Sequence, residues 1–245
     1  MENILENRLY YNEAGLMVYY KMPGDICENY SSGSKENPEL YLPQQILSTY
    51  KGVMFCECCY RLDRPVSGLV VLSRKPQFIT AINTALRADD ACKTYYAIVE
   101  GVLQENENFE MLDNYLVFNA SKQKAFVASK SDTGARRTRL MWRCNGHSDD
   151  YSFIEIQLLS DFPHQIRCQL AANNMPIRGD QLYGAVGSDS ISGIRLYSGK
   201  LSFTHPLTQQ KISLVAPPPV MDGLWTAEWI TSGMRTSSPA EGLDV

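Results

Sequence analysis

Histidine is scarce. His147, His164 and His205 are the three in 245 residues, and no pair repeats a metal-ligand spacing. A zinc or two-metal centre built on histidine is therefore not expected. Apolar runs are short, and none approaches the roughly 20 residues needed to cross a bilayer as a helix. The opening stretch carries Glu2, Glu6, Glu13 and Asp25 in place of a basic-then-apolar leader, so the cytoplasm is the expected compartment. No glycine-rich phosphate loop follows a strand pattern and no βαβ rhythm recurs, which argues against Rossmann and P-loop enzymes. Basic residues are not in excess either: 23 Lys and Arg face 27 Asp and Glu, a net charge of −4. Composition alone does not announce a nucleic-acid binder.

Disulfides are also not expected. The seven cysteines are an odd number and suit reduced thiols. Three of them fall in Cys56-Glu57-Cys58-Cys59, without the second spaced pair that a zinc site wants. Cys56 and Cys58 read as same-face positions of an extended segment. Nothing in the sequence sets a thiol beside a base, which leaves a cysteine protease unsupported.

What is present is an ordinary globular composition, 44% hydrophobic and 20% charged, long enough to bury a core. One domain is expected over residues 1–231, with a polar tail at 232–245. Leu16 to Tyr20, Gly68 to Ser73, Thr94 to Val99 and Tyr151 to Leu159 read as strands. So do Leu201–Phe203 and Ile212–Leu214, around a turn at His205-Pro206. Residues Asn29 to Pro43 read as loop. Phe78, Ile82 and Leu86 sit at helical spacing behind Pro76. Pro163 opens a second helix running to about Asn174, with Ser160 or Asp161 as its cap. Strands with two interspersed helices favour an α+β fold with a largely antiparallel sheet.

Four segments could carry chemistry. In Arg61-Leu62-Asp63-Arg64-Pro65 an aspartate lies between two arginines, which favour its ionised form. It could serve as nucleophile or base, or form a surface ion-pair turn. His164-Gln165-Ile166-Arg167 begins a helix on which His164, Arg167, Ala171 and Asn174 share a stripe, while Ile166 and Leu170 face the core. Such an arginine could reach a carboxylate on a neighbouring loop, or the helix could be simply amphipathic. Tyr95 and Tyr96 point to opposite sides of a strand, one to pack and one free to line a cleft. From Ser121 to Arg143, seven bases (Lys122, Lys124, Lys130, Arg136, Arg137, Arg139 and Arg143) stand against Asp132, a local charge of +6. That stripe is either a solvated hairpin or a phosphate contact.

Together these pieces resemble the RluA-type family of pseudouridine synthases. Tyr60-Arg61-Leu62-Asp63-Arg64-Pro65-Val66-Ser67-Gly68-Leu69 is similar to the family's His-Arg-Leu-Asp-Arg-x-x-Ser-Gly-Leu loop. Lys93, Tyr95, Ala97, Val99 and Gly101 match a Lys-x-Tyr-x-Ala-x-Val-x-Gly strand. His164 to Arg167, Leu170 and Ala171 match His-Gln-Ile-Arg-x-x-Leu-Ala, followed by Gly179-Asp180 and Leu182-Tyr183-Gly184. The likeness runs in order from about Leu9 to Pro219.

The resemblance implies an α+β pseudouridine synthase fold: a single catalytic domain with a mixed, mostly antiparallel sheet crossed by an active-site cleft. It implies isomerisation of uridine to pseudouridine in RNA without cofactor or metal; the RNA is expected to be ribosomal or transfer RNA, and a monomer that touches no membrane is expected. By the same resemblance Asp63 is the essential carboxylate, Arg167 pairs with it, and Tyr95 stacks on the uracil. Arg61, Arg64 and His164 would contact the flipped-out nucleotide. Lys122, Lys124, Arg136, Arg137 and Arg139 would contact the RNA backbone.

The sequence departs from the pattern at four places. Tyr60 replaces His, Ser160-Asp161-Phe162-Pro163 replaces Thr-Gly-Arg-Thr, Lys21-Met22-Pro23-Gly24 replaces Lys-Pro-x-Gly, and Leu196-Tyr197-Ser198 replaces Leu-His-Ala. Two other functions compete with uridine isomerisation: a non-catalytic RNA-binding or RNA-folding protein on the same scaffold, and a carboxylate-dependent glycosidase.

Overall fold

The computed structural model describes residues 8–28, 40–189, 192–219, 222 and 224–225. The expected polar tail at 232–245 and most of the expected loop before Pro43 lie outside the described residues.

Among the described residues eleven strands form one sheet. They are β1 (Leu9–Glu13), β2 (Leu16–Lys21), β3 (Glu57–Tyr60), β4 (Ser67–Ser73), β5 (Cys92–Glu100), β6 (Glu110–Asn119), β7 (Lys124–Ala128), β8 (Arg136–His147), β9 (Tyr151–Leu158), β10 (Leu196–Thr204) and β11 (Lys211–Val215). Helices α1 (Leu42–Thr49), α2 (Ile79–Ala85) and α3 (Gln165–Ala172) accompany it, with 3-10 turns at Pro76–Phe78 and Gln181–Tyr183. The strand order is β1-β2-β4-β10-β5-β9-β8-β6-β7, with β3 on β4 and β11 on β10. Among the described residues these strands pair antiparallel except β4 with β10. The expected mixed, mostly antiparallel α+β fold is therefore what the chain adopts.

The parallel pairing of β4 with β10 is short. Only Tyr197↔Ser67 and Ser198↔Gly68 are in register, after which β3 takes up β4 and β11 takes up β10. At this junction Gly68 has φ +112°, and a Cβ there would sit 2.3 Å from the Ser198 carbonyl oxygen. Only glycine lets the two backbones approach so closely. The loop from Arg61 to Val66 leads directly into this junction.

The sheet is covered on both faces. One carries Tyr95, Ala97 and Val99 of β5, Leu140 and Trp142 of β8, and Ile154 and Ile156 of β9, packed with Ile166 and Leu170 of α3. The other carries Tyr96, Ile98, Phe153 and Tyr197 around Trp225. Tyr95 and Tyr96 thus face opposite sides, as strand periodicity requires. Burying Leu170 completely contributes about 2 kcal/mol to holding α3 on the first face. Gln169 adds a hydrogen bond of 2.9 Å from its Nε2 to Asn114 on β6.

Two local expectations are corrected. Helix α1 begins immediately after the Ser- and Gly-rich stretch, at a point read as loop. Pro43 sits in its first turn, and Leu42 and Ile46 share its buried face. Helix α3 is shorter than expected and carries no side-chain cap. Ser160 instead bonds Gln165 and the backbone of Arg139, and Asp161 turns to Lys93. His164 takes the N-cap place in a left-handed conformation, φ +56°, unusual and costly for a residue with a Cβ.

Candidate active site

The Asp63 loop is held from behind by a buried ammonium. Lys21, fully buried at the end of β2, donates to the carbonyl oxygens of Val66 (2.6 Å), Arg64 (3.0 Å) and Met22 (3.1 Å). Burial lowers its pKa to about 8. The Gly24 and Ile194 amides donate to the Arg64 and Pro65 carbonyls, and Val66 closes a turn onto the Asp63 carbonyl at 3.0 Å. The backbone on both sides of Asp63 is thereby fixed, while its side chain stays about one-quarter exposed.

One turn into α3, Arg167 spans two carboxylates. Its Nη1 donates to Asp63 Oδ2 at 3.0 Å. Its Nε and Nη2 grip Asp180 in a bidentate pair at 2.7 and 2.8 Å. The pair with Asp180 is buried on both sides. These contacts raise the guanidinium's already high pKa despite burial, and its planar fork suits the geometry.

His164 stands beside this row. Its Nε2 is 3.6 Å from Asp63 Oδ2, beyond hydrogen-bond reach but close enough for charge to be felt. Its Nδ1 is 3.1 Å from the Tyr183 hydroxyl, which accepts the Ala125 amide at 2.8 Å. Burial lowers the imidazole pKa more than the Asp63 charge raises it, so the ring is neutral at pH 7. Phe118 packs edge-on against it.

Tyr95 lines the other side. Its hydroxyl is hydrogen-bonded to that of Tyr60, and both rings are buried. Burial, and the Asp63 and Asp161 charges, push both phenols well above their usual pKa, so both stay protonated. Lys93 Nζ lies 5.5 Å from the Tyr60 ring centre and bonds both oxygens of Asp161, at 2.8 and 2.7 Å.

The structure thus brings Asp63, Arg167 and His164 together, with Tyr95 near enough to feel the Asp63 charge. Sequence reading gave no role to Asp180, Tyr183, Lys21 or Tyr60. Asp180 and Tyr183 did stand in the quoted motifs, and that was the available signal. Arg64 is exposed, while Arg61 pairs with Glu28 at 2.5 Å.

The basic stripe does not form one surface. Arg136 shares a sheet face with Leu116, the α3 side, whereas Arg137 and Arg139 face the opposite side with Asp113. Arg137 is held bidentately by Asp113, and Arg143 by Glu155. Lys124 lies at the edge strand with its Nζ 4.8 Å from the Tyr183 ring centre, while Lys122 is exposed at the β6–β7 turn. Among the described residues no three His, Cys, Asp or Glu side chains converge as a metal site, and no helix is long and apolar enough to cross a membrane.

The model of the RNA pseudouridylate synthase family matches residues 15–172. An uncharacterised RNA pseudouridine synthase of Zymomonas mobilis is 27% identical over 218 residues, covering 88% of this chain and 95% of its own length. The dual-specificity RNA pseudouridine synthase RluA of Pasteurella multocida is 26% identical over 168 residues, covering 67% of this chain and 74% of its own. The solved human RNA pseudouridylate synthase domain containing 1 has the same fold, with a TM-score of 0.72 over 95% of this chain and 96% of that one at 17% identity. With well over half its length matched, this chain belongs to the RluA-type RNA pseudouridine synthases, isomerases that act on RNA.

Proposed function

We propose that the protein isomerises specific uridines of structured ribosomal or transfer RNA without a cofactor, with Asp63 as the essential carboxylate. The observation that carries this reading is the Asp63–Arg167–Asp180 row: a part-exposed carboxylate aimed by a guanidinium that is itself locked from behind. The reaction breaks the bond between N1 and ribose C1′, turns the uracil, and joins C5 to C1′. C5 loses a proton and N1 gains one, so no redox partner or group donor is needed. Asp63 acts on the sugar or the ring, Arg167 fixes its direction, and Tyr95 supplies the wall against which the uracil stacks.

A base must leave its stack to reach Asp63, at a cost of a few kcal/mol, which favours loops and distorted stems as substrates. His164 lies beside the Asp63 carboxylate and the exposed Arg64 follows Asp63 in the chain; both would hold the flipped nucleotide. Arg61 would join them once released from Glu28. Lys122, Lys124 and Arg136 are our candidates for the RNA backbone on the α3 side and its edge. Arg137 and Arg139 would meet only RNA that wraps to the far face. One domain acting as a monomer in the cytoplasm suits this reading.

Hydrolysis by paired carboxylates is less well supported. The second carboxylate, Asp180, is buried and both its oxygens are taken by Arg167, leaving none to activate water.

The test is incubation of purified protein with RNA from a strain lacking it, followed by mapping of pseudouridines as carbodiimide-dependent reverse-transcription stops. A new stop is expected with the natural protein and none with Asp63→Asn, whose RNA binding should persist. Equal stops from both proteins would remove Asp63 from the chemistry. RNA binding without any stop would favour the RNA-folding alternative.

A further inference from the structure

Two of the departures from the family pattern meet in space. Tyr60 replaces a histidine just ahead of the Asp63 loop, and Asp161 lies in the altered segment just ahead of α3. They are about a hundred residues apart in sequence, yet Lys93 joins them. Its ammonium faces the Tyr60 ring and bonds both oxygens of Asp161. Lys93 is itself almost fully buried, with its side chain 7% exposed. A buried ammonium needs a counter-ion, and here the part-exposed Asp161 supplies it.

We propose that Tyr60 is a positioning residue for the isomerisation: its hydroxyl orients that of Tyr95, and the Lys93–Asp161 ion pair holds Tyr60 in place. This rests on the reading of Tyr95 as the wall of the uracil pocket. The Tyr95 hydroxyl is buried and its partner is the Tyr60 hydroxyl, so Tyr60 decides which way the Tyr95 proton and lone pairs point. Tyr60 reaches this place through an irregular turn of β3. Cys58 and Tyr60 pair with the adjacent residues Leu72 and Val71, so the intervening Cys59 is a bulge. Such a bulge re-aims a side chain, and this one carries the phenol toward β5. Lys93 and Tyr95 leave the same face of β5, two residues apart, which brings phenol and ammonium to Tyr60 together.

The chemistry gives that orientation a use. The proton at uracil C5 must leave during the reaction, and Tyr95 stands against the ring. A phenol whose hydroxyl is fixed by a second phenol offers its oxygen in one direction, without the entropy of a free rotor. Lys93 and Asp161 contribute no net charge, so the altered segment need not repel RNA.

Turnover is read as tritium released from total RNA labelled at uracil C5, prepared from a strain lacking the enzyme. Initial rates are measured at saturating and at limiting RNA. Tyr60→Phe keeps the ring and removes the hydroxyl. It should lower the saturating rate about ten-fold, the loss expected for one positioning hydrogen bond, and leave half-saturation nearly unchanged. The decisive comparison is with Tyr95→Phe. In that background Tyr60→Phe should have no further effect, because the hydroxyl it positions is gone. Tyr60→His, which restores a hydrogen-bonding group, should recover most of the rate, and Lys93→Met should lower it.

Additive losses from Tyr60→Phe and Tyr95→Phe, or a change in half-saturation alone, would overturn the proposal and leave Tyr60 a packing residue. Full activity of Tyr95→Phe, which keeps the stacking ring, would refute this inference alone, as would loss in Tyr95→Phe with none in Tyr60→Phe, whereas full activity of Tyr95→Leu would overturn the reading of Tyr95 as the wall. If Tyr60→Phe melts early, Tyr60→His and Lys93→Met carry the same comparison.

Discussion

Asp180→Asn is the most informative single change, because it leaves every residue that would touch RNA in place. Asparagine keeps the side-chain shape but turns one oxygen into an NH2 that faces the guanidinium. Of the two bonds at 2.7 and 2.8 Å, one becomes a donor facing a donor and the other loses its charge. Each charge-assisted bond is worth about 1.5–3 kcal/mol. Removing one partner of a buried pair costs about 3–5 kcal/mol when the other charge is left alone. Arg167 keeps Asp63 as a counter-ion at 3.0 Å, so the lower end applies, about 3 kcal/mol. For a chain of this size that is a fall in Tm of roughly 6–12 °C. Arg167 then swings toward Asp63, and a misplacement near 1 Å costs turnover about a hundred-fold. Urea denaturation gives the first quantity, and tritium release from C5 per folded molecule gives the second. Unchanged stability would mean that Arg167 is held by Asp63 alone. Lower stability with full turnover would mean that the Arg167–Asp63 contact does not aim the carboxylate.

Gly68→Ala should prevent folding or lower stability by more than about 3 kcal/mol, seen as loss of the cooperative melt, since its Cβ would overlap the Ser198 carbonyl. His164 is kept neutral by burial, so its folded pKa lies below the unfolded value near 6.5. As pH falls below that value the unfolded chain takes up the proton first and stability drops; His164→Gln should remove this part of the slope in urea melts from pH 7 to 5. Lys21 deprotonates near pH 8 and then offers two hydrogens to three carbonyls. The saturating rate should therefore decline above that pH without a matching fall in stability from this group, because the unfolded chain keeps the Lys21 proton longer than the folded one. Replacing Lys122, Lys124 or Arg136 by Gln should each reduce the salt slope of RNA binding by about 0.7–0.9. Arg143→Gln should not, because Glu155 already holds that charge.

The fold was legible where the signal was local. The buried runs of β2, β4 and β5 are apolar on both faces and bounded by turn residues, and Asp63 sits in the most specific of the four motifs. Contacts set by tertiary distance were not legible. Asp180 lies thirteen residues beyond Arg167 and becomes its partner only because the chain turns back after α3. Asp161 looked like a helix cap because it precedes a proline and a helical pattern. The buried ammonium of Lys93 outcompetes a backbone amide for it, since an unpaired buried charge costs far more than an unfilled cap. The basic stripe misled for a different reason. Summed charge takes no account of strand parity, and period-two alternation sends Arg136 to one face and Arg137 to the other.

The sharing of one guanidinium between two carboxylates explains how an arginine can aim a carboxylate without disabling it. Were Arg167 bidentate to Asp63, both oxygens would be occupied and the carboxylate would be a structural ion. Instead Asp180, buried beside Arg167, takes the two-pronged grip, and Asp63 receives one hydrogen bond from Nη1 at 3.0 Å on Oδ2. Among the described residues Oδ1 of Asp63 takes no hydrogen bond, and a neutral His164 adds no second cation. Two carboxylates sharing one guanidinium leave the row with a net negative charge, placed on the exposed member. On the proposed reading, a reaction that builds positive character on ribose C1′ would be served by an anion there, held in direction by Arg167 and in position by the Lys21-anchored backbone. Arg167→Lys separates these demands. A lysine keeps the charge but cannot span both carboxylates with fixed geometry, so it should preserve most RNA binding while losing most turnover. Turnover near that of the natural protein would show that charge alone suffices.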